Sequence, residues 1–282
     1  MKLNHYKTTL LLKALLFFLI APSTFAAPKP ITNSPTRGTL LQWSPHVSGG
    51  PDLDAPLITD RPDFTEASVT VGKGVAQLEF GYTYIDSGDT DAHSIGEPLL
   101  RYGILADYLE LRLAILPSAE STGRGFSDLY FGFKIALTPQ QGWLPEMALI
   151  PQTWIPTGSQ TFTDRGWQPG LNCIYSWQIS PTISTAGSTQ INRLFEDADD
   201  DFLQLAQSWT IALTLSEKIG AYSEWFALFP MQSSSSQNEH YLNGGFTYLI
   251  NKNLQADIRA GWGLNKNAED FFAGAGLSIR FQ

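Results

Sequence analysis

From Val75 onward, in segment after segment, apolar side chains recur at every second position, with charged or small ones between them. That is the period of a β-strand, whose successive side chains point to opposite faces; a helix would need apolar residues at three- and four-residue spacing. The first segment sets Leu78, Phe80, Tyr82 and Tyr84 against Gln77, Glu79, Gly81 and Thr83. The second sets Leu100, Tyr102 and Ile104 against Glu97, Arg101 and Gly103, and the third Leu109, Leu111, Leu113 and Ile115 against Glu110, Arg112 and Ala114. The fourth is the cleanest, with Leu129, Phe131, Phe133, Ile135 and Leu137 opposed by Asp128, Tyr130, Gly132, Lys134 and Ala136. The alternation continues with fewer charges through 203–215, 254–264 and 271–281. Near 144–155, 169–177 and 182–192 it blurs, and those faces are not separable by pattern.

The gaps between these roughly twelve segments alternate in length. Polar gaps at 86–94, 117–126, 156–168, 193–201, 230–240 and 265–270 are separated by tight ones at 106–107, 138–142, 178–181, 216–218 and 251–252. Strands of an outer-membrane barrel have this rhythm, with short periplasmic turns and long external loops. Each clear segment has about the 9–11 residues that a tilted membrane strand requires.

A soluble sandwich also alternates apolar with polar. Three features favour the barrel. Tyr82, Tyr84, Tyr102, Trp177, Trp209, Trp225, Tyr248 and Trp262 stand on the apolar face, as interface girdles require. The polar face is rich in Gly, Ala and Ser and carries both charge signs, which suits a crowded lumen. The final strand, 273–281, ends in Phe281, a pattern that resembles the signal read by barrel-assembly machinery, although Gln282 follows. The expected fold is all-β: a closed antiparallel transmembrane barrel of about twelve strands over residues 73–282, set in the lipid of a Gram-negative-type outer membrane.

Residues 1–26 read as a signal peptide: Lys2 and Lys7 precede an apolar stretch from Leu10 to Ala21, too short to span a bilayer, and small residues at 24–27 offer a cleavage site. Residues 27–72 hold seven prolines, which fix φ and remove ladder donors, so this region is expected to be an irregular periplasmic or lumen-entering extension. Loss of the signal would remove three lysines and no acids, moving the formal charge from −9 to −12. An acidic chain is a poor binder of nucleic acid, because phosphate neutralisation needs clustered Lys and Arg. Cys173 is the only cysteine, so no intrachain disulfide is available.

The candidate chemistry lies in the inward charges. Glu79, Glu97, Arg101, Glu110, Arg112, Asp128 and Lys134 come from four consecutive strands and should form a mixed network, since unpaired charge in a narrow lumen is costly. Tyr130, Tyr222, Glu224 and Phe226 join the inward face, and the aromatic ones would tolerate partly apolar solutes. The network either forms a solute path or simply fills the barrel. Asp60, Arg61, Asp63 and Glu66 could dock the Pro-rich extension into it as a plug, or tether it outside. No cofactor or metal site is expected: the acidic run Glu196, Asp197, Asp199, Asp200 and Asp201 lacks the spacing and Gly of an EF-hand. An outer-membrane lipase is the enzyme to consider, but His93 and Ser94 are adjacent and so face opposite ways, and no nucleophile motif appears.

The segment 57-LITDRPDFTEASVTVGKGVAQLEFGYTY-84 resembles the opening of a family of outer-membrane transporters associated with the meta-pathway of phenol degradation. The resemblance rests on Asp60, Arg61, Pro62, Asp63, Thr65, Glu66, Gly74, Gln77 and Glu79, and 155-IPTGS-159 is similar to a loop element of the family. It implies an outer-membrane channel for small organic solutes, aromatic or hydrophobic ones included, and names no substrate. A sealed structural or adhesive barrel is the alternative.

Overall fold

A computed structural model describes residues 38–41, 53–88, 91–115, 117–120, 123–160, 162–195, 201–231, 233 and 236–281. The expected signal peptide, most of the stretch from 27 to 52, and residues 196–200 of the acidic run lie outside the described residues.

Fourteen strands follow: β1 (Ala76–Asp86), β2 (Asp91–Gly103), β3 (Leu109–Ala114), β4 (Pro117–Glu120), β5 (Gly123–Phe126), β6 (Leu129–Thr138), β7 (Glu146–Ile155), β8 (Gln168–Ser180), β9 (Ile183–Phe195), β10 (Asp201–Thr214), β11 (Ile219–Met231), β12 (Glu239–Asn251), β13 (Leu254–Gly263) and β14 (Phe271–Phe281). Twelve of them form a ring in which chain neighbours pair antiparallel, and β1 closes it by pairing with both β2 and β14. Closure removes every sheet edge inside the bilayer, where an unpaired backbone group costs several kcal/mol. The barrel therefore has the expected strand count, and β4 with β5 forms an accessory hairpin leaning on β2 through His93↔Ala119 and Ser94↔Ser118.

Several of the gaps expected to be loops are thus partly sheet. The β1–β2 hairpin runs on to Asp86↔Asp91, and 117–126 folds back on itself. Ladder bonds need only backbone, so pairing continues above the membrane after apolar alternation has stopped.

The interior and exterior are inverted relative to a soluble domain. Arg101, Arg112, Lys134, Gln77, Glu79, Glu110 and Glu224 are among the largest fully buried side chains, whereas Ile211, Phe246, Ile258, Leu203 and Phe281 are exposed on the outside. Tyr82, Tyr102, Trp209, Tyr248 and Trp262 stand exposed on that outer face. An apolar belt with aromatic members around a polar interior is the surface of an outer-membrane barrel, and it places the protein there. Two of the three blurred strands have a local explanation. Ala148, Ile150 and Ile174 face inward and form a buried cluster, so β7 and β8 are apolar on both faces.

Candidate functional site

Residues 53–75 enter the barrel from its short-turn end, reach towards the long-loop end, and return to start β1. The entry is fixed at the β12–β13 turn: Leu57 N donates to Lys252 O at 2.9 Å, and Arg280 donates to Leu53 O at 3.0 Å and Ala55 O at 2.9 Å. Lys252 reaches Asp54 at 2.9 Å, and that hydrogen bond and charge lower the exposed Asp54 carboxyl below its ordinary range. Inside, Gln77 and Arg101 donate to Ile58 O, while Gln255 donates to Thr59 Oγ1.

Asp60 sits at the centre of the charge cluster. Its backbone N–H meets both carboxylate oxygens of Glu79 at 3.0 Å. Its side chain takes Lys134 Nζ at 2.6 Å, Arg101 at 3.3 Å and Arg112, and it also accepts Ala67 N–H at 2.9 Å. Arg101 bonds Glu79 at 3.0 Å and grips Glu110 bidentately at 2.8 and 2.9 Å; Arg112 bonds Glu110 at 3.1 Å and Glu66. Strands β1, β2, β3 and β6 supply the barrel side of this cluster, and the alternation on each aims those residues inward. Charges removed from water persist only when each is matched and hydrogen-bonded, and here each acid meets cations or several N–H groups.

One turn further on, Arg61 lies against the β1–β14 seam, where Gly81 pairs with Gly276. A Cβ on either glycine would run into its guanidinium. Small residues on the polar face thus serve to seat a long cation from the extension, which bonds Glu97 at 2.6 Å and Asp257 at 3.3 Å. Phe64 forms the tip: its ring stacks on Phe226 at 4.6 Å, and Phe226 stacks on Tyr241 at 4.6 Å. Glu224 clasps the tip, accepting Phe64 N and Thr65 N at 2.7 Å, Thr65 Oγ1 at 2.6 Å and Asn243 Nδ2 at 2.8 Å. On the way back, Ser68 donates to Glu146 at 2.5 Å, Val69 O accepts from Arg101, and Val71 N donates to Glu110. Among the described residues, then, 57–72, the plug segment, lies inside the ring of strands.

The structure brings Asp60, Glu66, Glu79, Arg101, Glu110, Arg112 and Lys134 into one network and Tyr130 to its margin, bonded to Gln152 and Arg112. It separates four other expected members. Asp128 is outside the network. It accepts Thr157 N, Gly158 N, Thr163 Oγ1 and Asp164 N at 2.7–3.1 Å and so pins the loop after β7. A Cβ on Gly158 would strike Phe126 O and Asp128, which explains the glycine of the 155–159 motif. Asp128 lies one position before β6, where the chain leaves the barrel, so its parity could not tell lumen from loop. Glu97 pairs with Arg61, and more distantly with Arg259 of β13 at 4.0 Å, rather than with the cations of the Asp60 cluster, because Gly96 and Glu97 take positive φ and break the β2 register. Glu224 binds plug N–H groups, and Asp63 sits within electrostatic reach of Glu224, Asp60 and Arg259 without an ion pair to a strand residue. The sequence reading missed Asp257 and Arg259 as plug contacts; their inward parity on β13 was the available signal. Likewise, His93 turns outward to Tyr82 at 2.7 Å while Ser94 pairs with Thr83, so no serine–histidine couple forms between them.

Above the plug, two cavities open in the long-loop half, with Phe64 bordering both. One, of about 290 Å³, is lined by Arg112, Tyr130, Gln152, Trp154 and Asn172 among others. The second, of about 260 Å³, is walled by Phe226, Tyr241, Phe272 and Ile85, with Thr83, Asn243, Arg259 and Glu269 among its polar members.

Comparison with known proteins agrees with this architecture. The family described as "Putative MetA-pathway of phenol degradation" matches residues 59–281, the plug and the whole ring of strands. Among curated protein sequences none matches. Among solved structures, an outer membrane channel from Pseudomonas putida F1 is similar at a TM-score of 0.58 and 12% identity, covering 78% of this chain and 99% of that one. The NanC porin is similar at 0.54 and 8%, covering 72% and 98%. A KdgM porin, solved in complex with disordered oligogalacturonate, is similar at 0.50 and 12%, covering 73% and 99%. At these identities the likeness is one of fold.

Proposed function

The chain belongs to the family described as "Putative MetA-pathway of phenol degradation", and on that premise we propose that it is an outer-membrane channel for small organic solutes, aromatic or hydrophobic ones included, gated by residues 57–72. The observation that carries this reading is the pair of aromatic-walled cavities that open at the long-loop end and stop at the plug. A solute entering from outside would meet rings at Trp154, Tyr130, Phe226 and Phe272, then the Phe64 tip, then the charge cluster. Both charge signs line the way, which argues against a strong cation or anion preference. Passage requires the plug to shift, and its hold is polar: water entering the lumen can replace those bonds. The C-terminal strand ending at Phe281 is the proposed contact with the assembly machinery.

Conductance of the purified protein in planar bilayers, with and without residues 57–72, tests the reading, alongside uptake of small aromatics by deletion and complemented cells. Solute-dependent conductance, raised by removal of the plug, is expected. No conductance in either form would leave the second reading, a sealed structural barrel, which the complete burial of Glu79, Arg101, Glu110 and Lys134 favours.

A further inference from the structure

We propose that the cavity between Phe64 and Phe272 is a binding site for an uncharged single-ring aromatic compound bearing a group that both donates and accepts a hydrogen bond. The proposal rests on the channel reading for its biological sense, since it names the solute class, but the site itself stands on four observations.

The walls are aromatic and already stacked. Phe64, Phe226 and Tyr241 form a continuous stack, and Phe272 leans on the latter two at 6.3 and 6.2 Å. Flat rings favour such surroundings through offset and edge contacts. The volume also fits: a cavity of about 150 Å³ is known to hold benzene, so about 260 Å³ has room for one substituted ring.

Two polar atoms at this cavity lack partners among the described residues. Asn243 is 4% exposed, and its Nδ2 is committed to Glu224. That bond fixes the amide orientation and leaves Oδ1 as a buried acceptor without a donor. Arg259 spends Nη1 on Pro62 O at 2.9 Å and Nη2 on Thr83 Oγ1 at 2.8 Å, and its Nε–H is a buried donor without an acceptor. They stand on adjacent strands, Arg259 opposite Gly245 and Asn243 two positions before it. A buried donor and acceptor left unpaired cost free energy that a complementary ligand group recovers. A hydroxyl or primary amide supplies both halves.

Charge selects for neutrality. Around the site stand Glu224, Asp63, Asp257, Glu97 and the lining Glu269, against Arg259 and Arg61. The excess of acids opposes a carboxylate ligand, and the Arg259 guanidinium opposes an ammonium at the same spot. Because Phe64 and Thr65 hang on Glu224, which also holds Asn243, a bound ring touches the plug tip and the residue that clasps it.

Equilibrium binding to the purified full chain in detergent tests this whether or not the barrel conducts. The probes are benzamide and benzyl alcohol, with toluene and benzoate as controls, followed by isothermal titration. Saturable binding of the first two is expected. Toluene should bind about tenfold or more weakly, since a site built to hydrogen-bond rejects an analogue without the group, and benzoate should not saturate. Asn243→Ala should weaken benzamide about tenfold, and Leu228→Trp should block it by filling the cavity from a wall position. Gln152→Ala, in the other cavity, should leave affinity unchanged. No saturable binding of either neutral probe overturns the proposal. So does benzoate or toluene matching benzamide, or an affinity that responds to Gln152→Ala and to neither cavity variant.

Discussion

Asp60→Ala is the most informative single perturbation, because one plug carboxylate holds three buried cations. It contacts Lys134 at 2.6 Å, Arg101 at 3.3 Å and Arg112, all essentially inaccessible to water. Arg101 and Arg112 keep Glu79, Glu110 and Glu66 after the substitution, whereas Lys134 has no other ion pair among the described residues. Breaking a buried pair costs about 3–5 kcal/mol, since one charge stays uncompensated. The twelve-strand ladder is closed and continuous, so the cheaper relief is for residues 57–72 to leave and admit water to Lys134. At 1.4 kcal/mol per decade, the docked-to-undocked ratio should fall by about two to three and a half decades. The assay is single-channel conductance together with heat-modifiable migration, which reports whether the barrel stays folded. Longer open times with unchanged migration are expected. Adding Lys134→Met should restore part of the closure, because removing both partners costs less than stranding one. Wild-type conductance in Asp60→Ala, or full additivity of the two changes, would refute the claim that this pair holds the plug.

Four other outcomes follow from the same geometry. Gly276→Val should expel Arg61 from its seat and expose residues 57–72 to added protease in detergent, while Gly132→Ala on another strand should not. Cysteines replacing Thr65 and Ser208, whose hydroxyl oxygens lie 2.6 Å apart, should form a disulfide that abolishes conductance until a reductant is added. Ile258→Arg, on an outward position that is 57% exposed, should lower stability in urea by about 2–4 kcal/mol if it lies at the bilayer midplane; a neutral effect would contradict the lipid-facing assignment. Asp128→Ala should speed proteolysis within 156–165 and leave conductance unaltered, because its partners are loop N–H groups and a loop hydroxyl.

Strand number, the facing of the clear strands and the membrane setting were legible without coordinates, because a strand's two faces meet different solvents and the two-residue period records that directly. Where both faces are apolar, at Ile150 and Ile174, the record was blank. Inward position was also legible for Glu79, Arg101, Glu110, Arg112 and Lys134. Partnership was not: Asp60, some twenty to seventy residues away from them in the chain, joins the cluster only because the ring closes around it. The same holds for Asp128, whose parity is that of Lys134 but whose neighbours belong to the loop after β7. Alternation is a local property of one strand against its surroundings. Pairing of charges, seating of Arg61 over Gly81 and Gly276, and the unpartnered atoms of Asn243 and Arg259 depend on distances across the lumen, which only the closed barrel sets.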